Sequence, residues 1–257
     1  MVRSFHHSAY PARLLRERKD RTASAVLPAR EVADTIGLIV ETVLGLELFD
    51  QVVVVDAASR DGTAELARAA GAEVHQEAEL MRERGPVKGK GDAMRRGLSV
   101  ASGELLVFMD SDTRDLSPHF PCGLLGPLLV EDGVEFVKGS FSRPADGAAG
   151  GGRVTELTAR PLLRAFFPEL AGFAQPLAGE VAASRSLFER LPFASGYAVE
   201  TAMLLGAWDE VGIERMAQVD LGLRRNYHQP LEQLGPMAEA VLGVVLERLR
   251  GEGRLSA

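Results

Sequence analysis

Residues 105–112 read L-L-V-F-M-D-S-D, and their reading decides the fold. Five apolar residues in succession, with Val107 and Phe108 favouring extended backbone, predict a strand buried on both faces, as in parallel sheets. Two aspartates, Asp110 and Asp112, then stand at its carboxyl end, one serine apart. Open α/β sheets bind ligands beyond the carboxyl ends of their strands. A D-x-D pair there suits a hard divalent cation that also holds phosphate oxygens. Aspartates also end strands because they make good turns, so the motif depends on the rest of the chain for support.

Upstream, strands and helices alternate. Residues 24–27 predict a short strand running into Pro28, and Ile36, Ile39, Val40, Val43 and Leu44 share one helical face. Four valines, 52–55, predict a second buried strand ending at Asp56. A polar loop follows, then a helix over 63–70 stopped by Gly71, and an edge-like strand over 73–75. K-G-K-G-D-A at 88–93 opens a helix to about Ser102. The alternation predicts a parallel sheet of βαβ units.

Downstream the pattern loosens. Pro118, Pro121 and Pro127 interrupt an apolar region read as helix over 123–130, and 134–141 alternates like a strand. A glycine run, 146–153, is too rich for regular structure. Helices are expected over 156–166, with Pro161 an awkward insertion, over 198–208, and over 231–249, interrupted by Pro236; a short strand is expected over 216–221. Residues 1–22 carry mixed charge (Arg13, Arg16, Arg18, Lys19 and Arg21 with Glu17 and Asp20) and read as an arm or surface helix, either solvated or resting on a neighbouring subunit. With no evident linker, 1–257 is read as one domain, about 24–112 forming one half and about 113–250 the other.

A chain of 257 residues with 46% hydrophobic content can bury a real core. Its net charge of −7 argues against a general nucleic-acid or acidic-membrane surface. Cys122 is the only cysteine, as expected in a reducing cytoplasm. No apolar run approaches the roughly 18–20 residues of a membrane span, and the first residues carry no signal-peptide core.

Four clusters carry candidate chemistry. In V-D-A-A-S-R-D-G-T, Asp56 ends a strand and the loop with Ser59 and Asp61 leads to a helix start, which offers N–H groups to an anion. Asp56 can accept from a base or ribose, and Asp61 can equally be a simple helix cap. At 88–91, two glycines let the backbone approach a phosphate while Lys88 and Lys90 supply charge; a flexible basic turn reads the same way. The glycine run ending in Gly152 and Arg153, with Thr155 beyond, can form an anion nest or a plain surface loop. R-R-N-Y-H-Q-P at 224–230 offers Asn226 and His228, although a lone histidine is more often structural. Glu200, inside an apolar helix, is paired, solvent-facing or a sugar ligand.

Taken in order, P-A at 28–29, V-D-x-x-S-x-D-G-T, G-K-G and strand–D-S-D resemble the nucleotide-sugar domain of GT-A type glycosyltransferases. The segments G-G-G-R-V-T-E-L-T-A-R-P-L-L, Q-P-L-A-G-E, P-F-A-S-G-Y-A-V-E and P-L-E-Q-L-G-P-M narrow this to the glucosyl-3-phosphoglycerate synthases and their mannosyl relatives, over about 24–249. The resemblance implies a GT-A type α/β fold with a mostly parallel central sheet flanked by helices. It implies a retaining transfer of glucose or mannose from a UDP- or GDP-sugar to the 2-hydroxyl of 3-phosphoglycerate. It also implies Mg2+ or Mn2+, and a cytoplasmic homodimer without nucleic-acid or membrane partners. By matching position, Pro28, Ala29, Glu31, Asp56, Ser59, Lys90, Asp110, Ser111 and Tyr197 would hold the nucleotide sugar. Gly152, Arg153, Thr155, Asn226 and His228 would hold the acceptor, and Asp112, Lys90 and Glu200 would be catalytic. The metal falls to Asp112, with His228, Asn226 or water completing its site. Here the sequence departs from its relatives, since the family's metal-site histidine falls on Asn226 and His228 stands where Asn is usual. An inverting transferase acting on polyprenyl phosphate and a non-catalytic nucleotide-sugar binder are the rival readings.

Overall fold

The computed structural model describes residues 2–114, 116–142, 152–224 and 231–255. Its elements are β1 (Arg3–His6), α1 (Ala12–Arg18), β2 (Ala23–Ala29), α2 (Ile36–Gly45), β3 (Gln51–Asp56), α3 (Thr63–Ala69), β4 (Glu73–Gln76), α4 (Lys90–Val100), β5 (Leu105–Phe108), α5 (His119–Val130), β6 (Phe136–Ser142), α6 (Arg160–Phe166), β7 (Val181–Ser184), α7 (Arg185–Arg190), α8 (Val199–Val211), β8 (Met216–Leu223) and α9 (Leu231–Gly251).

The strands form one sheet in the order β1-β8-β6-β7-β5-β2-β3-β4. All neighbouring pairs are parallel except those made by β7, which runs against both β5 and β6. Successive side chains of a strand point to opposite faces, and here both faces are covered. Ala25, Leu27, Val52, Val54, Leu105 and Val107 pack with Ile36, Ile39, Val40 and Val43 of α2 and with Phe120 and Leu124 of α5. Val26, Val53, Val55, Leu106 and Phe108 pack with Met94 and Leu98 of α4 and with Met203 and Leu204 of α8. The uninterrupted apolar runs follow from this double burial, each buried Val or Leu stabilising by about 1.5–3 kcal/mol.

Several expectations shift. β2 continues through Pro28, in register with Val55. The proline's missing N–H faces the side where β5 has already ended, so no ladder bond is lost. Helix α5 starts at His119, which puts Pro121 in the first turn, where an N–H has no helical acceptor. Residues Thr155–Ala159 form one wide (i→i+5) turn ahead of α6, which relieves the clash Pro161 would otherwise make with the preceding turn. Helix α9 runs on through Pro236. The charged first segment is not merely an arm: β1 adds an edge strand to β8, and α1 follows it. The glycine run before residue 152 lies outside the described residues.

The antiparallel strand shapes the ligand edge. An antiparallel strand begins where its parallel neighbours end. Residue Glu180, just before β7, therefore lands beside Asp110, just after β5, and Arg224, just after β8.

Candidate functional site

The D-S-D turn is fixed from below. Ser111 is buried, donates its hydroxyl to the Pro28 carbonyl and accepts at its own carbonyl from Thr35 Oγ1 at 2.6 Å. Met109 N–H donates to Val26 O at 3.2 Å, extending the β2–β5 ladder one step past the strand. Ser111 is thus a structural pin that sets Asp110 and Asp112 side by side.

Those two carboxylates belong to a buried ionic network. Lys90 Nζ, at the first position of α4, lies 2.5 Å from Asp110 Oδ1 and 2.9 Å from Glu200 Oε1. Arg224, 1% exposed, reaches Asp110 Oδ2 at 3.2 Å and Asp112 Oδ1 at 3.0 Å with one nitrogen. Its other terminal nitrogen pairs with Glu180, and its guanidinium lies 4.7 Å from the Phe141 ring centre. Burial works against each charge, but the partners win. Lys90 is held charged by Asp110 and Glu200, and Arg224 by Glu180, Asp110 and Asp112. Asp110 is held ionised by Lys90 and Arg224, far below the usual carboxylate range. Asp112 goes the other way: burial, then repulsion from Asp110, raises its pKa.

The donor-side loops brace one another. Ser59 Oγ accepts from Glu31 N–H at 2.9 Å, and Glu31 Oε1 accepts from Arg60 N–H at 2.9 Å. Glu31 and Ala58 both take left-handed backbone (φ 51° and 55°), strain of the kind that collects at binding loops. Asp61 accepts from Thr63 N–H and from Ala33 N–H, each at 3.0 Å, so it ties two loops together as well as serving the start of α3. Asp56 is fully buried; one oxygen accepts from Gln76 Nε2 at 2.8 Å and Ser59 N–H at 3.2 Å, while the other has no hydrogen-bond partner among the described residues. Pro28 and Ala29 end β2 beside these loops, and Tyr197, half exposed, stands in the turn before α8.

On the other side, Gly152 and Arg153 lead into the wide turn headed by buried Thr155. Asn226 and His228 lie outside the described residues. Arg224, read from sequence as part of a loop facing the acceptor, instead turns inward onto the acids.

The described donor set fits a divalent ion shared with a diphosphate rather than one caged by protein. Asp112 is a hard oxygen donor, half exposed, whose charge Asp110 opposes and a cation would relieve. Among the described residues no group of three His, Cys, Asp or Glu could hold a metal alone.

Sequence reasoning missed Glu180 and Lys138. Both are buried beside the network; the signals were a lysine in the middle of an apolar strand and the place of Glu180 at the end of Q-P-L-A-G-E. Gly179 was also overlooked. A Cβ there would run into Lys90 Nζ and Asp110 Oδ1. Gly179→Ala is therefore expected to push the pair apart, cost about 1–3 kcal/mol of stability and lower kcat. Thermal unfolding and initial rates check this, and wild-type values in both would refute it.

Residues 24–134 match the family model described as Glycosyl transferase family 2. The glucosyl-3-phosphoglycerate synthase of Mycolicibacterium smegmatis is 44% identical over 235 residues, covering 89% of this chain and 78% of that protein. The crystal structure of mannosyl-3-phosphoglycerate synthase from Rubrobacter xylanophilus superposes with a TM-score of 0.96 at 52% identity, covering 99% of this chain and 83% of that one. That of glucosyl-3-phosphoglycerate synthase from Mycobacterium tuberculosis, in complex with Mn2+, UDP-glucose and phosphoglyceric acid, superposes at 0.88 and 41% identity, covering 96% and 87%.

Proposed function

We infer, since this chain belongs to the glucosyl-3-phosphoglycerate synthase family, that it transfers glucose from UDP-glucose to the 2-hydroxyl of 3-phosphoglycerate with retention of anomeric configuration. It is a hexosyltransferase of GT-A type, and its cofactor is Mg2+ or Mn2+. The observation that carries this reading is the Lys90–Asp110–Arg224–Asp112 network, gathered just beyond β5 and β8 at the carboxyl edge of the sheet.

The acceptor oxygen bonds to the anomeric carbon as the bond from that carbon to the diphosphate oxygen breaks. The electron pair leaves with the diphosphate, whose oxygen takes the acceptor's proton. A divalent ion bound beside Asp112 supplies Lewis-acid charge to the diphosphate. Lys90, locked in its charged form, adds a fixed positive charge on the same side. Pro28, Ala29, Glu31, Asp56, Ser59 and Ser111 form or brace the nucleotide's bed, and Glu200 and Tyr197 lie toward its sugar. By family resemblance Gly152, Arg153 and Thr155, with Asn226 and His228, would bind the acceptor's phosphate and carboxylate, and His228, Asn226 or water would complete the metal site.

Arg153→Ala should raise the acceptor KM about 10- to 100-fold, by loss of a bidentate anion contact, while the donor KM stays within about twofold. An unchanged acceptor KM refutes the assignment. A second reading, mannosyl transfer from GDP-mannose, is favoured by the 52% identical relative of that name. The ratio of kcat/KM for UDP-glucose and GDP-mannose, each with 3-phosphoglycerate, decides between the two. We take 1–257 as one domain that acts as a cytoplasmic homodimer, on family resemblance. Sedimentation measures the assembly state. No helix among the described residues is long and apolar enough to cross a membrane.

A further inference from the structure

Lys138 sits in the middle of β6, paired with Val181 on one side and Gln218 on the other, and is 1% exposed. A buried ammonium is costly unless matched by a carboxylate. Its hydrogen-bond partner is instead a main-chain carbonyl, that of Ala178, at 2.7 Å.

That carbonyl belongs to the segment leading to Glu180, and β6 holds the segment at three points. Gln175 Nε2 donates to Phe141 O, Lys138 to Ala178 O, and Gly139 N–H to Glu180 O at 2.9 Å. A neutral amide serves at the first point and a backbone N–H at the third. Only the middle point uses a charge. The residue it fixes is followed directly by Gly179, packed on Lys90 and Asp110, and by Glu180, paired with Arg224.

We propose that Lys138 is a positioning residue for the transfer reaction: its buried ammonium ties the Ala178 carbonyl to the sheet and so sets where Gly179 and Glu180 hold the Lys90–Asp110 and Arg224 pairs. The inference rests on the glycosyl-transfer reading above. The ammonium also adds a third positive charge, with Lys90 and Arg224, to a site holding Asp110, Asp112, Glu180 and Glu200. A departing diphosphate brings further negative charge, and without Lys138 it would meet a more strongly repulsive site.

The groups facing this ammonium come from four elements. Its pKa is lowered to about 8, burial being the largest cause and Lys90 at α4 adding to it, against Glu200 at α8, Glu180 before β7 and Asp110 after β5, which raise it. Lys138 is therefore charged at neutral pH and loses its charge above pH 8, within the working range of an assay. An ammonium kept charged against burial costs the fold stability below that pH, the opposite of an ordinary structural contact.

The test compares wild type, Lys138→Met and Lys138→Gln, with UDP-glucose, Mg2+ and 3-phosphoglycerate, from pH 6 to 10. In K138M we expect kcat to fall about 10- to 100-fold and the donor KM to stay within about threefold. Its thermal midpoint should be no lower than that of the wild type. The wild-type kcat should fall along an alkaline limb near pH 8 that both variants lack. Should K138M not fold, K138Q, which keeps an N–H for Ala178 O without the charge, carries the same comparison. A variant kcat within twofold of wild type overturns the inference. So does a kcat that falls together with the thermal midpoint while the alkaline limb persists. In either case a wild type that releases UDP leaves the transfer reading intact, whereas a wild type that makes no product overturns both.

Discussion

Asp112→Asn is expected to lower kcat/KM by about a thousandfold, on the order of 4 kcal/mol of transition-state stabilisation. The side chain keeps its size and one oxygen, so its contact with Arg224 can persist while its negative charge is gone. Asp112 is the half-exposed member of the D-S-D pair, and the other, Asp110, already has Lys90 and Arg224 as partners. Loss of charge at Asp112 thus falls chiefly on the divalent ion. Wild-type enzyme stripped with a chelator should drop to a similar rate and recover on adding Mg2+, and the variant should need far more ion to recover partly. Because the Asp112 pKa is raised, metal affinity should begin to weaken, as pH falls, earlier than for an ordinary aspartate. A near-wild-type rate for the variant with Mg2+ at the wild-type requirement would sink the assignment.

Arg224→Met is expected to have the second large effect, on stability as well as rate. The guanidinium touches three carboxylates and is almost fully buried. Its removal leaves Glu180 buried without its ion-pair partner, and Asp110 and Asp112 adjacent with only Lys90 and Lys138 left to offset the acids. Breaking a buried pair from one side costs about 3–5 kcal/mol, which denaturant unfolding should report as a lower midpoint. Adding Glu180→Gln should restore part of that stability, since it removes the orphaned charge, but not the activity. If the single variant unfolds like wild type, the network is not what holds this edge together.

The half of the fold built from β2, β3 and β5 was legible because parallel strands buried on both faces must be apolar throughout. β7 was not legible. V-A-A-S is short and small-sided, since it is wedged between β5 and β6 where two covered faces leave little room. β1 escaped for a different reason: an edge strand covered on one side alternates weakly and looks like a charged arm. The site divides the same way. Asp56, Ser59, Asp110 and Asp112 could be found because strand ends announce them. Lys138 and Glu180 could not, and Arg224 was read toward the acceptor rather than the acids, because each acquires its meaning from a partner 40 or more residues away.

The pairing of β1 with β8 sets Arg3 against Ala217, with Gln218 Nε2 donating to Ser4 Oγ at 2.9 Å. A contact spanning that much chain is the slowest kind to form. During synthesis, β2 to β5 have all their mutual partners once residue 108 has emerged. The strand made before any of them must wait unpaired until β8 arrives. Deleting residues 3–6 should therefore leave early collapse of the β2–β5 half intact and remove only the slow final step. The order of synthesis and the order of assembly run in opposite directions at this edge.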